Sequence, residues 1–195
     1  MPNHNRTFTI AGALLFALNL SGCALSPQTV PLQPSLAIDE TNIGQGRTIA
    51  LDAVDHRADD TVGTRGGVYR DSAVISTGED VAAALRRSMA DALGAQGFRV
   101  LEPGAAADLS MTVVLEELSY KAYGEPVVRT LEIAAKVSNA VARGDQRYTA
   151  NAGITDTRNV LRAPAPEDNE AYINDTLAKA LEKLLNDPRY LEFVK

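Results

Sequence analysis

The chain has 195 residues, a net charge of −6 and a pI near 5.0, with 45% hydrophobic and 23% charged residues. That mix excludes disorder along the whole length, and the acidic balance excludes a basic nucleic-acid-binding surface. A single Cys excludes an internal disulfide, a CxxC redox pair and a thiolate-rich zinc site, and two His leave little for metal or acid–base chemistry.

Met1 to Thr7 is short and polar, with Arg6 as its fixed positive charge, and Phe8 to Leu20 is almost entirely apolar. A charged segment before an apolar one is the layout of a secretory signal peptide. The apolar run is 13 residues, short of the roughly 20 that a membrane-spanning helix needs. It therefore predicts a cleaved leader over residues 1–22 and no permanent transmembrane anchor. Leu20-Ser21-Gly22-Cys23 resembles a bacterial lipobox, in which signal peptidase II cuts before the Cys. Small residues at 21 and 22 suit a narrow protease site, and Cys23 offers the thiol that takes a diacylglyceryl group. The alternative, a buried structural Cys behind an ordinary signal peptide, does not account for the one Cys falling where the lipobox needs it. Each buried CH₂ of an acyl chain contributes about 0.8 kcal/mol, and two chains already give stable attachment. In the enterobacterial sorting rule, Asp after the lipidated Cys retains a lipoprotein at the inner membrane. Ala24 stands there, which predicts residence at the outer membrane, facing the periplasm. An acidic body is not drawn to anionic lipid, so attachment is expected to rest on the acyl chains.

Ala24 to about Pro34 carries Pro27, Pro31 and Pro34 with Ser and Gln between. Residues 23–45 are expected to hold the lipidated Cys and a semi-rigid spacer, about ten residues at ~3.1 Å each. Val30, Leu32, Leu36 and Ile38 alternate, so the end of the tether is able to pair as an edge strand. Residues 46–195 read as a single globular domain. The whole chain has thirty Ala and no Trp, so the core is built from Ala, Val, Leu and Ile. Ile49, Leu51 and Ala53 alternate in a strand over Arg47 to Asp55, and a polar loop runs from His56 to Arg70. Val74 and Ile75 suggest a short strand. Thr77 is the expected N-cap of a helix, with Asp80 as its capping partner. Val81, Ala84, Leu85, Met89, Ala92 and Leu93 form its apolar stripe, and Gly94 or Gly97 ends it. Phe98 to Leu101 reads as a strand.

Three long alternating runs follow: Leu109 to Leu115, Leu131 to Val141 and Tyr148 to Ile154. Their turns are expected at Tyr123-Gly124-Glu125-Pro126 and Arg143-Gly144-Asp145. Asp168 or Asn169 is expected to cap a second helix bearing Ile173, Leu177, Ala180, Leu181, Leu184 and Leu185, which Asn186-Asp187-Pro188 stops. Sheet and helices, each with one apolar face, bury one another. The expected fold is α+β: a two-layer sandwich in the order β-α-β-β-β-β-α, its sheet mostly antiparallel and two amphipathic helices packed on one face.

From about Val30 to Val194 the chain resembles the YajG-type lipoproteins of Gram-negative bacteria. The resemblance lies in the lipobox at Cys23, the strand ending Asp55-His56-Arg57 and the capped helix from Thr77 to Gln96 with Gly97-Phe98. It extends to the Asp108-Leu109 entry to the three long strands and to the terminal Tyr190-Leu191-Glu192-Phe193. It implies a fold and an envelope location, and no mechanism. The layer order is also similar to that of envelope-transport lipoproteins, an analogy of fold that carries no function.

Asp52, Asp55, His56, Arg57, Asp59 and Asp60 form the densest polar cluster. Such a loop could hold a divalent cation through oxygen, but the EF-hand Gly and distal Glu are missing. The plainer reading has Asp55 and Arg57 pairing to shape the strand exit. No metal site or cofactor is expected. His56 has no GxSxG nucleophile to serve. Gly44-Gln45-Gly46 precedes a strand and lacks the third Gly of a dinucleotide site. Glu116 and Glu117 are adjacent on a strand and are expected on opposite faces. Tyr120 and Tyr123 either seed a partner contact or cap the sheet edge. Arg65-Gly66-Gly67 is either a mobile binding loop or a connector. The expected function is non-catalytic binding or assembly in the envelope, with no catalytic residue and an unidentified envelope partner. The alternative is a periplasmic hydrolase without a recognisable motif.

Overall fold

The structure, a computed structural model, describes residues 25–66, 72–78, 80–124 and 128–195. It is a mixed α+β fold of one eight-stranded sheet and three helices. The strands are β1 (Gln28–Thr29), β2 (Thr48–Asp55), β3 (Thr61–Thr64), β4 (Val74–Ser76), β5 (Arg99–Leu101), β6 (Leu109–Gly124), β7 (Arg129–Arg143) and β8 (Gln146–Val160). The helices are α1 (Val81–Ala95), α2 (Pro166–Leu185) and α3 (Pro188–Val194).

The three long alternating runs form an antiparallel meander, β6–β7–β8, along nearly their full length. On the other edge of β6 lie β2, through Ile49–Asp55 against Leu109–Leu115, and then β3, through Gly63 against Tyr120; both run parallel to β6. Thus β2 and β3 are two pieces of one interrupted course beside a single long strand. β5 runs parallel to β2, β4 antiparallel to β3, and β1 parallel to β4. The sheet is therefore mixed: the long meander is antiparallel, and parallel pairings join β2, β3 and β5 on the other side of β6, and β1 with β4. The parallel pairings join strands far apart in sequence, for which local periodicity gives no signal. The expected order is corrected: four strands precede α1, and Asp187 caps a third helix by accepting from Arg189 N at 2.8 Å.

One core unites the sheet with the helices. Ile49 and Leu51 of β2, Met111, Val113 and Leu115 of β6, and Ile133 and Val137 of β7 are buried with Leu85, Met89 and Leu93 of α1 and with Ile173, Leu177, Leu181 and Leu184 of α2. Helix α1 packs on β2 and β5, and α2 on β7 and β8. Arg158 of β8 ties this second contact, its guanidinium 4.1 Å from the Tyr172 ring centre and bonded to Asp156 and Asp175.

Two caps differ from expectation. Asp80, not Thr77, caps α1, accepting from Ala83 N at 3.0 Å. Thr77 is fully buried one turn earlier, with its hydroxyl in the β2–β3 loop. Helix α2 begins at Pro166, with Asp168 reaching back to Ala165 N at 3.2 Å, and Asn169 is buried inside the first turn.

The segment read as a semi-rigid spacer able to pair at its end packs on the body from Gln28 onward, β1 pairing with β4 and Val30 N donating to Ser76 O. Asn174 of α2 accepts from Gln33 N at 2.7 Å and donates to Pro31 O at 3.1 Å, and Glu182 accepts from Ala37 N at 2.6 Å. Val30 and Leu32 enter the core. The strap runs along α2 and closes on the end of α1, where Gly44 N and Gly46 N donate to Gln96 O and Gly97 O. A Cβ on Gly44 would lie 2.6 Å from the Gly97 carbonyl carbon, so the Gly-Gln-Gly turn serves close backbone packing.

Candidate functional site

Leu20, Ser21, Gly22, Cys23 and Ala24, on which the anchoring reading rests, lie outside the described residues, as do Gly67 and the expected Glu125-Pro126 turn. The chain enters view beside the end of the sheet. Arg65, itself buried, donates to Ser26 O at 3.3 Å and to Pro164 O at 3.2 Å. Its role is that of a staple joining the strap to the β8–α2 connection, not that of a mobile binding loop.

A buried polar chain continues from there. Tyr120 Oη donates to Asn169 Oδ1 at 2.7 Å, Asn169 Nδ2 donates to Gln28 Oε1 at 3.0 Å, and Gln28 Nε2 donates to Pro166 O at 2.7 Å. Burial pushes the Tyr120 phenol up to about 12. Tyr120 is thus a core residue, whereas Tyr123 is 47% exposed near the β6–β7 hairpin.

The Asp52–Asp60 cluster is spent on local geometry. Arg57 grips Asp55 with Nε and Nη2, the shorter contact being 2.8 Å, and donates from Nη2 to Thr77 Oγ1 at 3.0 Å. Thr77 N in turn donates to Asp60 O at 3.0 Å. The latch fixes the gap between β2 and β3 to the approach of α1. Burial raises the Asp55 carboxyl, but the hydrogen bonds and charge of Arg57 outweigh it and hold the group below its usual 3.8. Asp52 accepts from Ala53 N and Asp59 from Thr61 N. His56 is exposed, 3.7 Å from Glu116. Among the described residues no three His, Cys, Asp or Glu side chains gather as metal ligands.

Glu116 and Glu117 depart from expectation. A β-bulge lies between Leu115 and Glu117, so both carboxylates are exposed on the side away from the core, Glu116 bonded to Ser138 and Glu117 to Ser119. A further feature escaped sequence reasoning. Among the described residues, the exposed large apolar side chains are Tyr123, Val128 and Leu161 at 47%, 46% and 77%, all at the Arg65 end of the sheet. Val128 and Leu161 each sit one residue beyond a regular strand, where alternation carries no signal.

Among the described residues are two further concavities. One of about 450 Å³ lies between strap, α1, α2 and α3, lined by Ile38, Ile43, Gln96, Leu191 and Lys195 among others. The amide of Gln96 is already engaged, accepting from Tyr190 Oη and donating to Leu185 O. The other, about 360 Å³, lies on the open sheet face among Thr112, Ser138, Thr149 and Asn151. Among the described residues no helix is long and apolar enough to cross a membrane.

The described residues thus form a mixed α+β body whose N-terminal strap runs along α2. Residues 34–195 match the family described as "Uncharacterized lipoprotein", and the chain belongs to that family, as the resemblance to YajG-type lipoproteins implied. No curated protein matches the chain. A crystal structure of a DUF330-family protein from Xanthomonas campestris is similar with a TM-score of 0.50 and 11% identity, covering 83% of this chain and 92% of that one. A PelC dodecamer from Paraburkholderia phytofirmans gives 0.34 and 14%, covering 79% and 95%. The first likeness is one of fold alone; the second is too distant to bear weight.

Proposed function

We propose that the chain is a periplasmic lipoprotein, cleaved after Gly22, acylated on Cys23 and sorted by Ala24 to the outer membrane, whose body binds an envelope partner without catalysis. The observation that carries this reading is the Leu20-Ser21-Gly22-Cys23 sequence at the end of a 13-residue apolar run, holding the one Cys of the chain. Membership of a lipoprotein family supports the anchor. The absence of an assigned catalytic residue in this reading is supported by Arg57, Arg65 and Asn169, each of which is engaged in holding segments together. A two-layer reading of the body, with helices on one side of the sheet and a polar side open to contact, fits the alternating burial of β6 and β7.

Fractionation of cells tests both halves of the anchor. Cys23→Ser is expected to release the protein from membranes in a carbonate wash, and Ala24→Asp to move it from outer- to inner-membrane fractions on a sucrose gradient. Retention of the Ser variant on membranes contradicts the acyl anchor; a wild-type protein banding with the inner membrane contradicts the sorting.

A further inference from the structure

Ser26 is three residues from Cys23, a span of at most about 10 Å, and its carbonyl is held by Arg65. The residue after Arg65 touches the β6–β7 hairpin: a Cβ on Gly66 would lie 3.2 Å from the Ala122 methyl and 3.3 Å from Arg129 Nη1. The chain therefore leaves the body beside the strand ends that carry Tyr123, Val128 and Leu161.

Those three side chains share one end of the sheet. Tyr123 pairs with Thr130 and Thr130 with Asn159, on the face opposite Leu131, which is buried. Arg129 pairs with Val160, whose side chain packs against the core, and Val128 and Leu161, the residues next to this pair beyond the strand ends, are exposed as Tyr123 is. Exposed Lys121 and Arg162 flank the patch. A tyrosine and two aliphatic side chains beside long basic ones suit the boundary between lipid headgroups and acyl chains.

We infer that this end of the sheet, through Tyr123, Val128 and Leu161, lies on the lipid surface that holds Cys23, so that the β7–β8 turn points away into the periplasm. The inference rests on the proposed acylation of Cys23: a tether about 10 Å long brings the patch to the bilayer, and no remote surface is within reach of so short a link. Strand β7 spans about 45 Å, which puts Gly144 and Asp145 at the far end.

The absence of native Trp gives a clean probe. Leu161→Trp and, at the far turn, Asp145→Trp are prepared in the acylated protein and reconstituted in vesicles of phosphatidylethanolamine and brominated phosphatidylcholine. Flotation reads the anchor; emission reads the docking. The expected result is that both proteins float, that Leu161→Trp is blue-shifted and loses most of its fluorescence to the brominated chains, and that Asp145→Trp is unaffected. Tyr123→Trp repeats the test if Leu161→Trp fails to fold. Failure to float contradicts the acyl anchor. Floating protein with unquenched Leu161→Trp and Tyr123→Trp overturns the docking alone, as does burial of the patch against a second copy, seen as concentration-dependent mass in detergent.

Discussion

Asn139 is buried between Val137 and Val141 on the core side of β7, and neither atom of its amide has a hydrogen-bond partner. An unsatisfied buried polar group costs about 1–3 kcal/mol, so Asn139→Val is expected to raise stability by roughly 1–2 kcal/mol in a urea melt. Asp55 shows the reverse case. The Arg57 guanidinium is nearly enclosed and depends on this carboxylate. Asp55→Ala is expected to lose roughly 1.5–3 kcal/mol, the worth of hydrogen bonds to a charged group, while His56→Ala, on the exposed neighbour, stays within about ±0.5 kcal/mol. The folded-state value of Asp55 lies below 3.8. Its stabilisation is therefore complete above pH 3.8 and is lost as pH falls through the folded-state value, so acid titration of stability should be shallower in Asp55→Ala. The Asp55–Arg57 pair was legible in sequence because the partners are two residues apart. The exposed pairing of Glu116 and Glu117 was not, since a single bulged residue reverses strand alternation without altering composition.

At the scale of elements, what the sequence makes plain is what repeats. Strands β6 to β8 and helices α1 and α2 carry long apolar patterns and pair or pack with near neighbours in the chain. Strand β3 has four residues, one of them Gly63, and is defined by a partner almost sixty positions away. Its glycine is a matter of space: a Cβ there would lie 1.8 Å from the Tyr120 carbonyl oxygen. Gly63→Ala is expected to push β3 off β6 and cost about 3 kcal/mol or more, with amide exchange accelerated in β3 and β4 before the meander. Exchange confined to global unfolding would contradict this local role. The strap is a different case. Its prolines favour extended backbone, and extended backbone equally suits a segment whose amides are received by Asn174 and Glu182.

For the whole molecule, these contacts give the body a direction. The strap runs along α2 from Gln28, bonded at Pro166, to Ala37, bonded at Glu182, so the described chain begins at one end and the 450 Å³ concavity opens near the other. On the proposed anchoring, the open sheet face and the far turn face the periplasm. The account depends most on the chemistry of residue 23. Mass spectrometry of the N-terminal peptide of the mature protein, isolated from membranes, reads it directly. The expected result is a chain that starts at Cys23 and carries a diacylglyceryl group on its thiol. A mature chain that starts elsewhere, or one that starts there with a free thiol, would contradict it.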